Sequence, residues 1–203
     1  MIVAIILSAG ASTRMGSPKA LLKIGEKTFL QNIVDELPAA DVSDIIIILG
    51  ADYENIQSTL SWFDGNVVIN NDWQQGQLSS LIAGINFIEK NNVDGIIVCP
   101  VDHPIISAKL ISEMVSAFYT SKKKIILPTH NKQRGHPIIF SKELFEEIKN
   151  APVEIGAKSV VKKFPEEVYE IETNESGILI NIDTENNYSL LSINSSANQS
   201  TSI

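Results

Sequence analysis

Residues 2–22 read IVAIILSAGASTRMGSPKALL, an apolar run that changes into a loop of small residues and two cations. The run from Ile2 to Leu7 consists mainly of β-branched residues and leucine and does not alternate with polar residues. This pattern is typical of a central parallel strand that is covered on both faces. Open α/β sheets bind their ligands beyond the carboxyl ends of the strands, so the loop that follows is placed for binding.

The composition of this loop suits a polyphosphate. Ala9, Gly10 and Ala11 allow backbone N–H groups to approach a phosphate closely. Arg14 offers a planar fork of hydrogen-bond donors, and Lys19 offers a point charge. The sequence therefore predicts an anion-binding loop after the first strand.

Spacing excludes two other phosphate-binding loops. A dinucleotide fingerprint that begins at Gly10 requires glycine where the chain has Ser12 and Met15. A Walker A loop has four residues between its glycines and a lysine directly after the second glycine. Here five residues separate Gly10 from Gly16, and two more precede Lys19. Only the strand–glycine–helix beginning of the chain favours an NAD-linked oxidoreductase, and the spacing of the glycines argues against this function.

Composition limits the class of protein. A chain of 203 residues can bury one good core, and we expect a single domain at 1–191 followed by a polar, disordered tail at 192–203. The formal net charge of −8 argues against nucleic acid or an anionic membrane as the main partner. Apolar runs are far shorter than the roughly 20 residues that cross a bilayer, and no signal-peptide pattern is present, so we expect a cytoplasmic protein. Cys99 is the only cysteine, which excludes an internal disulfide and a cysteine cluster for a metal.

Strand and helix patterns alternate along the chain, which predicts an α/β fold with a mostly parallel sheet. Thr28 and Gln31 are predicted to form a capping box, and Ser107 is predicted to cap a later helix. The predicted strands are 2–7, 44–50, 66–70, 96–99, 125–127, 137–140, 168–171 and 178–182, and the predicted helices are 29–37, 52–60, 77–88, 108–118, 141–149 and 156–163.

Two acidic residues follow predicted strands. Asp102 lies three residues beyond Cys99, and Asp183 comes directly after 178–182. Magnesium prefers one or two carboxylates together with phosphate oxygens and water, so this pair is predicted to bind Mg²⁺. Two structural alternatives remain: Asp102 could cap a turn, and Asp183 could cap a helix at 184–190.

Two further segments could bind substrates. Gly76, Ser79 and Ser80 lie at the start of the helix 77–88, where a helix N-terminus suits an anion or a nucleobase edge, although the serines could simply cap the helix. Arg134 and His136 lie on a loop beside a short strand and could receive the phosphate of a second substrate. A purely structural role for His136 stays open.

The first loop resembles a known pattern, L-x-A-G-x-S-x-R-M-G-x-x-K-x-L-L, of nucleotidyltransferases that activate sugars and cofactors. The chain is most similar to the molybdenum cofactor cytidylyltransferase branch of the MobA-like nucleotidyltransferase superfamily. The matching residues are Leu7, Ala9, Gly10, Ser12, Arg14, Met15, Gly16, Lys19, Leu21 and Leu22.

Further segments extend the resemblance, with departures. The segment 76–84 is similar to the family's G-x-x-x-S-L-x-x-G, and 135–137 reads Gly-His-Pro as in the cytidylyltransferase branch. At 102–104 the family usually has Asp-Gln-Pro, and here His103 replaces the glutamine. The family's D-I-D-T-P-E-D-Y is matched at Asp183 and Thr184 but not at Asn181 or at 185–187.

The resemblance implies a three-layer Rossmann-like, GT-A-like nucleotidyltransferase fold and a Mg²⁺-dependent enzyme. The implied reaction transfers CMP from CTP to the terminal phosphate of molybdopterin and releases pyrophosphate. The implied residues are catalytic Arg14, Lys19 and Asp102; nucleotide-binding Ala9, Gly10, Ala11, Ser12, Arg14, Lys19, Gly76, Ser79 and Ser80; acceptor-binding Arg134 and His136; and metal-binding Asp102 and Asp183.

Other functions remain open on the same scaffold. Guanylyl transfer to the same cofactor and nucleotidyl transfer to a sugar phosphate would use the same loop. A molybdenum cofactor chaperone that contacts a molybdenum-dependent apo-enzyme would keep the fold and lose catalysis. Pyrophosphate release with Mg²⁺ and CTP distinguishes the enzyme from the chaperone.

Overall fold

The structure is a computed structural model that describes residues 1–89, 91–185 and 187–189. The predicted tail at 192–203 lies outside the described residues. The strands are β1 (Ile2–Ser8), β2 (Lys23–Ile24), β3 (Lys27–Thr28), β4 (Val42–Leu49), β5 (Asn66–Ile69), β6 (Gly95–Pro100), β7 (Ile125–His130), β8 (Gln133–Arg134), β9 (Ile138–Ser141) and β10 (Val168–Glu172). The α-helices are α1 (Phe29–Glu36), α2 (Tyr53–Ser58), α3 (Gln77–Ile88), α4 (Ala108–Ser121), α5 (Phe145–Lys149) and α6 (Lys158–Lys163).

A mostly parallel sheet forms the middle layer, which confirms the predicted fold class. Its strands lie in the order β10-β7-β9-β6-β1-β4-β5, and β8 pairs with β7. β1 is central and parallel to both β4 and β6. β9 is antiparallel to both of its neighbours, so it interrupts an otherwise parallel arrangement. The apolar run Ile2–Leu7 is buried along its whole length, as its lack of polar alternation predicts.

Helices cover both faces of the sheet and create two apolar cores. Alternate β1 residues point to opposite faces, so Ile6 packs with the core under α1 and α4. Leu7 packs with the other core, under α3, α5 and α6. This three-layer arrangement leaves the carboxyl ends of β1, β4 and β6 at one edge, where the loops meet.

Local signals place the starts of α1 and α4 as predicted. Thr28 Oγ1 accepts a hydrogen bond from Gln31 N at 3.1 Å, and Gln31 Oε1 accepts one from Thr28 N at 2.9 Å. Ser107 Oγ accepts from Leu110 N at 3.1 Å at the start of α4. These side chains satisfy N–H groups that the first turn of a helix leaves without partners.

The strand predicted at 178–182 is wrong. Ser176–Leu179 forms a 3₁₀ helix, and the segment after it does not join the sheet. Its backbone bonds to loops, because Ile178 O accepts from His136 N at 3.1 Å and Ile182 N donates to Asp102 O at 2.9 Å. Ile178 and Ile182 are fully buried in the core under α1 and α4, so their apolar pattern reflects burial and not strand pairing.

The starts of two helices, α5 and α6, lie later in the chain than the sequence predicts. The helix predicted at 141–149 begins as a 3₁₀ helix, Lys142–Leu144, and continues as α5. The helix predicted at 156–163 begins only at Lys158, after Gly156, which has a positive φ of 68°. The short strands β2, β3 and β8 gave no sequence signal, because two-residue strands are too short to show a period.

Candidate active site

A cleft of about 280 Å³ opens at the carboxyl edge of the sheet, above the ends of β1 and β6. The loop after β1 forms one wall, and the start of α3 forms another. Nine residues expected to act in catalysis or binding line the cleft: Ala9, Gly10, Ser12, Arg14, Lys19, Gly76, Ser80, Asp102 and Asp183. The other four expected residues, Ala11, Ser79, Arg134 and His136, do not line it.

Ser12 holds the loop after β1 in shape. Its φ is 48°, in the left-handed region that a residue other than glycine rarely adopts. Ser12 O accepts a hydrogen bond from Met15 N at 2.8 Å, and Ser12 Oγ accepts one from Lys19 N at 3.0 Å. The serine side chain therefore brings Lys19 back towards the end of β1, a structural role in addition to the expected contact with nucleotide.

Gly50, directly after β4, supports the same loop. An ideal Cβ at this position would lie 2.7 Å from Ala9 O and 2.6 Å from Trp73 Cβ. Ala51 N donates to Ala9 O at 3.0 Å, so the backbone after β1 is tied to the backbone after β4. Only glycine permits this approach, and the close packing fixes Ala9 at the base of the cleft.

Lys19, Asp102 and Asp183 converge in the cleft. The Lys19 ammonium forms an ion pair with the Asp183 carboxylate, and its Nζ lies 3.6 Å from Asp102 Oδ2. Asp102 follows β6, as expected. Asp183 does not follow a strand as predicted. Instead, the hydrogen bond from Ile182 N to Asp102 O brings the two acidic segments together.

The cations of the loop affect the Asp183 carboxyl group. The hydrogen bond from Lys19 lowers the pKa of Asp183 below its ordinary value, and the positive charges of Lys19 and Arg14 act in the same direction. Asp183 is thus held as a carboxylate, the form that binds cations. The exposed Arg14 guanidinium has no hydrogen-bond or ion-pair partner in the described part of the chain, so it is available for an anion.

The donor set fits a divalent cation that is shared with a substrate. Asp102 and Asp183 supply carboxylate oxygens, the ligand type that Mg²⁺ prefers, and they already flank the positive charge of Lys19. The described residues contain no group of three or more His, Cys, Asp or Glu side chains that could hold a metal ion alone. Phosphate oxygens and water would have to complete the coordination.

The start of α3 contributes one serine to the cleft and not two. Ser80 is buried and lines the cleft, whereas the Ser79 hydroxyl faces away and donates to Gly76 O at 2.8 Å and Asp72 O at 3.0 Å. Asn70, just after β5, donates from Nδ2 to both serine hydroxyls. Sequence reasoning missed Asn70, since an asparagine after a strand usually signals only a turn.

Ser8, the last residue of β1, is a second missed residue. It is 3% exposed and lines the cleft, and its hydroxyl has no hydrogen-bond partner in the structure. A buried hydroxyl without a partner is costly unless a ligand or water satisfies it. The sequence did hold a signal, because Ser8 is the first polar residue at the end of an otherwise apolar strand.

A second pocket of about 560 Å³ adjoins the cleft, and Leu7 and Gln77 line both. Its floor is apolar, with Leu81, Leu127 and Phe140. Arg134 and His136 line this second pocket, so the structure brings these two predicted residues together beside the cleft. Arg134 is paired with Glu170, at 2.6 Å between Nη2 and Oε1.

His136 packs against His103, with ring centroids 4.6 Å apart. Both Nδ1 atoms are buried, and neither has a hydrogen-bond partner among the residues that the structure describes. Burial, followed by the neighbouring His103, lowers the pKa of His136 to about 4. Burial also lowers the pKa of His103. The His136 ring is therefore neutral near neutral pH.

Gly135 allows the histidine segment to pack closely. An ideal Cβ on Gly135 would lie 2.6 Å from Ile178 O. The segment Gly135–Pro137 thus packs directly against the 3₁₀ helix that precedes Asp183, which joins the second pocket to the acidic end of the cleft.

Cys99 is buried in β6, and burial raises its pKa to about 12, so its thiol is not a nucleophile. Over the described ranges, no helix is both long and apolar enough to cross a bilayer.

Comparison with known proteins identifies relatives over most of the chain. Residues 4–168 match the family model of the MobA-like NTP transferase domain. A nicotine blue oxidoreductase of Paenarthrobacter nicotinovorans is 26% identical over 204 residues, which cover 94% of this chain and 96% of that protein. A probable molybdenum cofactor guanylyltransferase of Bacillus mycoides (strain KBAB4) is 29% identical over 117 residues, 53% of this chain and 52% of that protein.

The fold is also found among solved structures. The crystal structure of Rv0371c from Mycobacterium tuberculosis H37Rv superposes with a TM-score of 0.84 at 23% identity. The superposition covers 95% of this chain and 98% of that chain. At this level of identity the likeness establishes the fold.

Proposed function

Because the chain belongs to the MobA-like NTP transferase domain family, and is thus a nucleotidyltransferase, we propose that it transfers CMP from CTP to the terminal phosphate of molybdopterin. The observation that carries this proposal is the convergence of Lys19, Asp102 and Asp183 in a cleft walled by the loop after β1. This arrangement supplies cations for a triphosphate and carboxylates for a metal ion in one place.

The reaction would be a displacement at the α-phosphorus of CTP. An oxygen of the acceptor's phosphate attacks this phosphorus, and the bond to the oxygen that bridges to the β-phosphate breaks. The product holds a new diphosphate linkage, and pyrophosphate leaves with the electron pair. A phosphomonoester already carries between one and two negative charges near neutral pH, because its second pKa is about 6, so the attack needs no strong general base.

The residues of the cleft would act by position and charge. Arg14 and the backbone N–H groups of 9–11 would hold the β- and γ-phosphates of the leaving group. Lys19 would lie at the α-phosphate and stabilise the charge that builds up in the transition state. Asp102 and Asp183 would hold Mg²⁺, which when bound supplies neutralisation of the triphosphate charge.

The second pocket is the proposed acceptor site. Its apolar floor suits a flat ring system, and it adjoins the cleft at Leu7 and Gln77. Lys158 and Lys162 lie at its rim and have no ion-pair partner among the residues that the structure describes. Two free ammonium groups beside an apolar floor suit a planar acceptor with negative groups, as in molybdopterin.

CTP is preferred over GTP because of the Gly135-His136-Pro137 segment, which resembles that of the cytidylyltransferase branch. The relative from Bacillus mycoides is named for guanylyl transfer, so GTP is the alternative donor. The deciding experiment measures pyrophosphate release with Mg²⁺, molybdopterin and each of the four ribonucleoside triphosphates. Release with CTP alone supports the proposal. Release with GTP alone means that GTP and not CTP is the nucleotide donor. Release with none of the four supports the hypothesis of a molybdenum cofactor chaperone.

One observation favours a second candidate function. The relative named nicotine blue oxidoreductase matches 94% of the chain, more than the guanylyltransferase does. The spacing of the loop after β1 does not fit a dinucleotide fingerprint, so an oxidoreductase would have to bind a nicotinamide dinucleotide in the cleft in another way. Calorimetric titration with NADH and NADPH tests this candidate: binding of either dinucleotide, with no binding of any nucleoside triphosphate, would favour an oxidoreductase over a transferase.

A further inference from the structure

Asn70 is held in a single orientation by its neighbours. Its side chain is 5% exposed, and its Oδ1 accepts a hydrogen bond from Asp72 N at 2.9 Å. A backbone N–H can only donate, so the atom that faces it must be the amide oxygen. The Nδ2 group consequently faces the other way, towards Ser79 and Ser80.

Both hydrogens of the Asn70 amide are used on the two serines. Nδ2 lies 2.9 Å from Ser79 Oγ and 3.0 Å from Ser80 Oγ. Each serine hydroxyl therefore accepts from Asn70, and each still has one hydrogen to donate. Ser79 donates its hydrogen to the backbone oxygens of Gly76 and Asp72.

Ser80 differs from Ser79 in where its hydrogen can go. It is 3% exposed and lines the cleft, and in the described part of the chain its hydroxyl has no acceptor. A buried donor without an acceptor costs free energy, so the bound state should supply one. Since Asn70 occupies a lone pair of Ser80, the hydroxyl hydrogen is left to point into the cleft.

We propose that Asn70 is a positioning residue that fixes Ser80 as a hydrogen-bond donor to an acceptor atom of the bound nucleotide. This inference rests on the proposed nucleotide binding in the cleft. The acceptor is an oxygen or a ring nitrogen of the nucleotide and not an exocyclic amino group, which would place two donors against each other. Asn70 does not touch the nucleotide, and its effect passes through Ser80.

The test measures nucleotide affinity separately from turnover. Calorimetric titration with each of the four ribonucleoside triphosphates and Mg²⁺ gives Kd for the wild type, Asn70→Ala, Asn70→Asp, Ser80→Ala and the double variant Asn70→Ala/Ser80→Ala. Asn70→Asp is nearly isosteric, but it offers Ser80 an acceptor in place of a donor. We expect Asn70→Ala and Ser80→Ala to raise Kd about 5- to 30-fold, and Asn70→Asp to raise it at least as much.

The double variant shows whether Asn70 acts through Ser80. If it does, Asn70→Ala should change Kd much less in the Ser80→Ala background than in the wild type. Asn66→Ala is the matched control, because Asn66 is the first residue of β5 and its amide faces Asp44, away from the cleft. This variant should keep the wild-type Kd, and thermal melting of every variant checks that the fold survives.

Each outcome of these titrations supports or contradicts a specific part of the proposal. A rise in Kd that differs among the four nucleotides places the acceptor on the base, and an equal rise places it on the ribose or the phosphates. An unchanged Kd in folded Asn70→Ala, or additive effects in the double variant, would overturn the positioning role. A wild type that binds none of the four nucleotides would instead overturn the proposed function itself.

Discussion

At the scale of single residues, the site depends on charge brought together from distant parts of the chain. Lys19 comes from the loop after β1, Asp102 follows β6, and Asp183 lies near the end of the described residues. All three side chains are more than half buried, at 15%, 22% and 34% relative exposure, which strengthens the interaction between their charges compared with a surface pair. A triphosphate entering the cleft would compete with the two carboxylates for the Lys19 ammonium.

Replacing Lys19 by alanine should lower kcat about 10²-fold or more while the fold survives. The reason is that a cation aimed at developing charge acts mainly in the transition state. Steady-state rates of pyrophosphate release measure the change. Lys23→Ala, a nearby exposed lysine on β2, serves as the control and should keep its rate. Near-normal turnover of folded Lys19→Ala would remove Lys19 from the catalytic residues.

Protein stability should fall as the pH drops from about 6.5 to about 4, because of His136. The unfolded histidine takes up a proton near its ordinary pKa of 6.5, whereas burial holds the folded pKa at about 4. Between these values the unfolded state binds more protons, so the free energy of unfolding rises with pH. The full loss amounts to about 3 kcal/mol at most.

Urea unfolding at about pH 7.5 and about pH 5 measures this loss in the wild type and in His136→Asn. His103 also has a lowered pKa and remains in the variant, so part of the pH dependence should persist. Asp183 does not interfere, because a carboxyl with a lowered pKa loses its contribution only as the pH falls through still lower values. Equal pH dependence in both proteins would contradict the prediction.

At the scale of secondary structure elements, the strand ends hold the loops by close backbone approach. β1 pairs with β4 in register up to Ser8 and Leu49, so Ala9 comes to lie against Gly50. The next element along the edge, the 3₁₀ helix Trp73–Gln75, touches the same glycine through Trp73. Gly50 thus supports Ala9 and Trp73, which line the cleft, although Gly50 itself does not line it.

The variant Gly50→Ala should lose about 1–3 kcal/mol of stability and bind nucleotide more weakly. Its Cβ would lie within 2.8 Å of Ala9 and Trp73, and a backbone oxygen in a packed site cannot move away cheaply. Denaturant unfolding and calorimetry measure the two effects. Gly10→Ala gives the matched contrast for stability, because its Cβ would meet nothing within 4 Å. Equal unfolding free energies for the two variants would show that the loop adjusts to Gly50→Ala.

At the scale of the whole molecule, the fold and the chemistry depend on different forces. Two apolar cores hold the layers together on either face of the sheet. Asp102 and Asp183, the proposed metal ligands, lie at one edge of the sheet and belong to neither core. Loss of a divalent cation should therefore affect function and leave the fold unchanged.

Chelation should abolish pyrophosphate release without changing the Tm. Adding Mg²⁺ together with CTP should raise the Tm by several degrees, because a ligand that binds only the folded state stabilises it. Thermal melting with and without chelator, and then with the nucleotide, checks both expectations. A Tm that falls on chelation would point to a structural metal, contrary to the expectation that the two apolar cores hold the fold together.

Part of the site could be found from local sequence and part could not. The positions of Asp102 and of the loop after β1 were predicted correctly. Each follows an apolar run whose burial the sequence shows. Asp183 was predicted to follow a strand that does not exist. Asn70 was missed, and Ser79 was placed in a cleft that it does not line. These three depend on which way a side chain points or on which backbone a segment meets.

The amino-acid sequence by itself determined the order of the longer strands and of the helices, the caps of α1 and α4, and the chemical type of the first loop. These features follow from interactions between residues near each other in the chain, such as the Thr28–Gln31 capping box. Only the tertiary structure shows that Ile178 and Ile182 are buried in the core under α1 and α4, and that Asn70 donates a hydrogen bond to the Ser80 hydroxyl. An apolar pattern records that a residue is buried, whereas the partner that buries or orients it is fixed by contacts across the chain.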